Sequence, residues 1–141
     1  MANALYPKFK EKLLNPGTLG STSGTAVDLS DDTIKIALVD TGAYTYSTAH
    51  EFYSSVSAAV IGTPQTLANK SVTNGVFDAD NVTFTAVSGV SVEALVIYKD
   101  SGTAATSPLI LYLDVATSGL PVTPNGGNID VTFNASGIFA L

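Results

Sequence analysis

The chain contains no cysteine, no tryptophan and a single histidine. Without cysteine there is no disulfide, no thiolate metal site and no cysteine nucleophile, and the redox compartment leaves no mark. Any Ser/His/Asp arrangement would depend on His50 alone, and no nucleophile turn of the G-x-S-x-G kind accompanies it. Beside Glu51 in a candidate short helix, His50 reads as a solvated or capping residue. Charge is also scarce, at 13% of residues against about 25% in ordinary soluble domains. A surface of Ser, Thr, Asn, Gly and apolar atoms repels neighbours weakly, which suits a protein packed against others. No segment approaches the roughly 18 apolar residues of a membrane span. The N-terminus intersperses Lys and Glu among its apolar residues instead of forming the apolar run of a signal peptide. The expectation is a soluble, non-enzymatic protein made in the cytoplasm, without a membrane partner.

At 141 residues the chain has the size of one domain, long enough to bury roughly 68% of the surface its unfolded form exposes. The net charge of −6 is unevenly spread, because Lys8, Lys10 and Lys12 crowd the start of an otherwise acidic sequence. Leu5, Phe9, Leu13 and Leu14 recur at helical spacing between those lysines, so residues 4–14 read as an amphipathic helix. Asn3 is its candidate cap, Pro7 falls in its first turn, and Asn15-Pro16-Gly17 stops it. The Gly/Ser/Thr-rich stretch 17–32 reads as a tether. The expected organisation is therefore a helical arm at 1–16, a tether at 17–32 and a β domain at 33–141. The acidic body is expected to avoid nucleic acid.

From Thr33 onward strand-like runs alternate with turn residues. "TIKIALVD", "KSVTNGVFD", "NVTFTAV" and "GNIDVTFN" alternate in the manner of half-buried strands, and Asn74-Gly75 is a tight-turn dipeptide. "SVEALVIYKD" and "SPLILYLDV" are apolar on both faces. Such a hairpin must be covered twice, either by a second sheet and the N-terminal helix or by a neighbouring subunit. Thr48 and Glu51 form a candidate capping box for a short helix through "AHEFYSS". About seven short strands without a long helix between them argue an all-β fold, an antiparallel β-sandwich or barrel of jelly-roll-like kind with a short N-terminal helix.

The remaining chemical signals are weak. "GSTSGTA" lacks the lysine of a P-loop. "DADN" (Asp78, Asp80, Asn81) offers oxygen ligands at alternate positions but lacks the glycine and glutamate of a calcium loop, so a plain turn is expected. Glu93, Asp100 and Asp114 flank the apolar hairpin, where they solubilise its ends. Tyr44, Tyr46, Tyr53, Tyr98 and Tyr112 form either core or an aromatic platform for a glycan. No metal or cofactor is expected.

The segments "MANALYPKF", "IKIALVDTGAYTY", "HEFYSSV", "VTNGVFDADNVTFTAVSG", the block from Glu93 to Phe133 and the ending "GIFAL" resemble a family of small virion proteins of tailed bacteriophages. The resemblance covers most of the chain, and it implies a structural component of the particle with no catalytic motif. The stretch Gly17–Ala26 departs from the family pattern. Two placements follow: a capsid decoration (cement) protein on the capsid surface, or a tail, baseplate or fibre-associated protein with glycan-binding loops. In the first, the chain forms a homo-oligomer, a trimer being favoured, and binds the major capsid protein. Leu5, Phe9 and Leu13 are then the expected apolar anchors, Lys8, Lys10 and Lys12 the partners of acidic capsid loops, and Tyr98 and Tyr112 further candidate interface residues.

Overall fold

The computed structural model describes residues 3–14, 26–114 and 120–141. The helix stop at Asn15-Pro16-Gly17 and most of the tether lie outside the described residues. Within them the chain is mostly β, with antiparallel sheets and one short N-terminal helix.

The largest sheet has five strands in the order β1 (Ala4–Leu5), β8 (Leu109–Leu113), β7 (Ala94–Lys99), β2 (Ile34–Val39) and β3 (Val60–Thr66). A three-stranded sheet joins β10 (Phe139–Ala140), β5 (Val76–Asp78) and β4 (Ser71–Thr73), and β6 (Val82–Phe84) pairs with β9 (Ile129–Val131). Among the described residues no sheet closes on itself.

β7 lies at the centre of the large sheet. Residues in register share a face, so Lys35 with Tyr98, Ala37 with Val96 and Tyr112, and Val39 with Ala94 line one side. Ile36 with Ile97 and Leu111, and Leu38 with Leu95, line the other. Apart from the half-buried Lys35, both sets are buried within the single chain. Tyr53 stacks on Tyr98, while Tyr44 and Tyr46 pack on Tyr112. The opposite face belongs to the same apolar cluster as Phe77, Val82, Phe84, Ile129 and Val131.

The N-terminus differs from the sequence expectation. Ala4–Leu5 forms a strand against Leu111 and Tyr112, and the helix α1 runs only from Pro7 to Leu14. Two physical reasons combine. Proline disfavours helical geometry in the residue before it and is favoured at the first helical position. The outer edge of β8 also offers backbone partners, and Tyr6 N–H donates to the Ile110 carbonyl at 2.9 Å. Farther along the same edge, Leu109 N–H donates to the Glu51 carbonyl and Tyr53 N–H to that of Ser107, both at 2.8 Å. An otherwise open edge is thus sealed by two segments of the same chain. Asn3 does not cap the helix, since its Oδ1 accepts from Asp114 N–H.

The short helix expected through residues 49–55 is also absent. Two 3₁₀ turns, Tyr53–Ser55 and Ser57–Ala59, stand near its place. The Glu51 carboxylate, expected to cap, is buried and turned to Lys12. The β4–β5 hairpin follows expectation, with Asn74 and Gly75 at φ 52° and 78° in a two-residue turn. That handedness matches the twist of the flanking strands. Val82 and Phe84 face inward around exposed Thr83, and Ile129 and Val131 around Asp130. The strand expected to reach Ala86 stops at Phe84, because Ala86 has φ 51°.

Candidate functional site

The arm is built into the body. Phe9 is fully buried and meets Phe139 edge-on, with ring centroids 6.1 Å apart. Lys12 is buried as well, its Nζ donating to Glu51 Oε1 at 2.8 Å and lying 5.5 Å from the centre of the Phe52 ring. A buried pair of this kind is strongly destabilising to break, because one charge is left without compensation. Leu5 is half-buried opposite Leu111, and Leu13 lines a groove with Val27, Leu29 and Val72. Lys8 is paired with Glu11 on the helix surface, and Lys10 points outward. Of the expected interface residues, Phe9, Lys12, Tyr98 and Tyr112 are therefore enclosed by their own chain. Exposed apolar surface lies elsewhere, at Leu14 (87% exposed), Val72 (52%), Val90 (55%) and Leu141 (70%).

A polar chain links the arm to the body. The Tyr6 and Tyr44 hydroxyls are 2.8 Å apart, and the Tyr44 hydroxyl lies 2.8 Å from His50 Nδ1. Burial pushes the Tyr6 and Tyr44 hydroxyls above the ordinary phenol range. Burial also lowers the His50 imidazole, favouring its neutral form. His50 thus meets a tyrosine, not the serine or carboxylate that a hydrolytic triad requires.

Next to this chain is a cavity of about 400 Å³ walled by Tyr44, Tyr46 and Tyr112, with Thr41, Glu93 and Asp114 among its lining residues. The hairpin register explains its acidic rim. Leu95 stands opposite Leu113, so closing β7 on β8 brings residues 93 and 114 to the same end. The sequence places Glu93 and Asp114 at the ends of the apolar hairpin as solubilising residues, and the register brings the two to one rim. Thr41 Oγ1 donates to Glu93 Oε1 at 3.2 Å, whereas Glu93 Oε2 is enclosed without a hydrogen-bond partner. Burial raises the Tyr112 hydroxyl, and the charges of Asp114 and Glu93 raise it further.

The other candidates take structural roles. Asp80 Oδ2 accepts from Asn69, Asn81 Oδ1 from Phe133 N–H and Asp78 Oδ1 from Ala79 N–H. Among the described residues no group of three or more His, Asp or Glu side chains is placed to hold a metal ion. No described helix is long and apolar enough to cross a membrane. Neither the known protein-family models nor the curated proteins include a match to this chain.

Proposed function

We propose that the chain is a structural protein of a tailed-bacteriophage particle, a decoration protein that binds the major capsid protein and stabilises the head. The observation that carries this reading is the family resemblance of the block from Glu93 to Phe133. That block includes β7 and β8, whose buried side chains form the centre of the fold. The two smaller sheets make a second layer over the large one, giving a β-sandwich, and copies cluster as a homo-oligomer, a trimer being favoured.

Burial of Phe9 and Lys12 changes the expected mode of attachment. The arm stiffens the subunit, and the capsid-facing surface is the exposed strand β4 with the end of α1. There Val72 and Leu14 present apolar side chains beside the groove lined by Leu13, Val27 and Leu29. Among the described residues β4 is also the outer strand of its sheet, an edge that can pair with a strand of a neighbour.

The test is addition of purified protein to particles stripped of it. Saturable rebinding at hundreds of copies per particle is expected, and the double variant L14D/V72D should rebind far more weakly while retaining its fold. A handful of copies per particle would instead place the protein in the tail, baseplate or fibre.

A further inference from the structure

We propose that the cavity between Tyr46, Tyr112 and Glu93 is a binding site for a small aliphatic ammonium ion. This inference stands apart from the particle assignment and rests on the cavity alone.

Three observations converge on it. The cavity, at about 400 Å³, falls within the roughly 300–1,000 Å³ range of small-molecule pockets. Three tyrosines, Tyr44, Tyr46 and Tyr112, are among its lining residues, and tyrosine π faces attract cations. The Tyr46 and Tyr112 rings pack against each other, with centroids 5.4 Å apart and tilted by 48°, so the wall they form is fixed. The third observation is the Glu93 carboxylate. One oxygen accepts from Thr41 Oγ1 and the other is enclosed without a hydrogen-bond partner. Carboxylate charge is shared over both oxygens, so a cation held at the cavity wall offsets it without reaching the enclosed atom. Asp114 adds a second negative charge to the lining, and neither lysine nor histidine is part of that lining.

The same features select an organic cation over a metal ion. A metal site needs more hard ligands than this lining supplies, and the space is many times the ~30 Å³ that one water occupies in the liquid. An alkyl chain can lie along the tyrosine faces while its ammonium group is directed to Glu93. A neutral chain of the same length lacks the charge.

The test is a titration of the full-length protein with n-butylammonium chloride, followed by the ring-proton NMR shifts of Tyr46 and Tyr112. Saturable shifts are expected, with no comparable response to n-butanol or to calcium chloride at matched ionic strength. Glu93→Gln should weaken binding by at least about tenfold, the worth of one charge-assisted hydrogen bond. Tyr46→Leu, which keeps an apolar wall but removes the π face, should weaken it as well and serves if Glu93→Gln does not fold. Equal saturation by n-butanol or by calcium, or undiminished binding in the folded variants, would overturn the proposal. Failure of this titration would leave rebinding to stripped particles unaffected, so the two readings are separately testable.

Discussion

Two hairpins of this chain are held in opposite ways. In β7–β8, every residue from Ala94 to Tyr98 and from Leu109 to Tyr112 is buried. Its long connection is organised by hydroxyls, with Ser101 N–H donating to Ser107 Oγ and Ser107 Oγ to the Thr103 carbonyl. In β4–β5, all of β4 is exposed and the link is the two-residue Asn74-Gly75 turn. The first hairpin is specified by what covers it, the second by the geometry of its turn. Burial can hold strands whose loop is long, whereas a half-exposed pair needs local backbone preference.

Four tests, in order of expected effect, break or sharpen that contrast. The largest effect is expected on the covered side, where Lys12→Ala removes the lysine that pairs with the buried Glu51 carboxylate. It should cost about 3–5 kcal/mol in denaturant unfolding. The double variant K12M/E51L, which replaces the pair with apolar groups, should recover most of the loss.

Truncation inside the covered hairpin comes next. Ile97→Ala should cost about 2–5 kcal/mol by opening a cavity between covered strands. Val72→Ala, on the exposed strand, should stay within about 0.5 kcal/mol. Similar costs for the two would remove the distinction between the hairpins.

A smaller effect tests the turn. Gly75→Ala places a side chain at φ +78°, with its Cβ 3.0 Å from the Leu141 carbonyl. The expected loss is about 1–2 kcal/mol, seen as a lower denaturation midpoint.

The smallest effect is a pH dependence. Burial depresses the His50 imidazole, so the unfolded chain takes up its proton first as the pH falls. Stability should be fully present above the unfolded histidine value of about 6.5 and decline as pH falls through the lower folded value. His50→Asn, which retains a polar atom near the Tyr44 hydroxyl, should flatten that slope in melting temperatures measured from pH 7.5 to pH 5. A second acid-sensitive group is Asp100. A hydrogen bond from Lys35 holds its carboxyl below the usual range, so its contribution is lost at more acid pH.

The predominantly β, antiparallel character was legible because alternation survives in short segments. Val82/Phe84 and Ile129/Val131 keep the two-residue period, and Asn74-Gly75 marks its turn. The two-residue strand Ala4–Leu5 was not legible, since two residues have no period and its partners lie over a hundred positions away. Lys12 and Glu51 misled for a different reason. Charge ordinarily marks surface, and the three-dimensional meeting of residues 12 and 51 helps make burial of both tolerable. Of the five tyrosines read either as core or as an aromatic platform, Tyr44, Tyr98 and Tyr112 are buried, while Tyr46 and Tyr53 are half-buried.

The central claim is that the N-terminal arm belongs to the fold of its own chain. The most direct measurement compares the thermal unfolding of the full chain with that of a chain beginning at residue 15. Removing Tyr6, Phe9 and Lys12 uncovers the edge of β8 and leaves Glu51 without its lysine. The expected result is a fall in melting temperature of more than about 10 °C, or loss of the cooperative transition altogether. An unchanged transition in the shortened chain would contradict the account and make the arm a separable device.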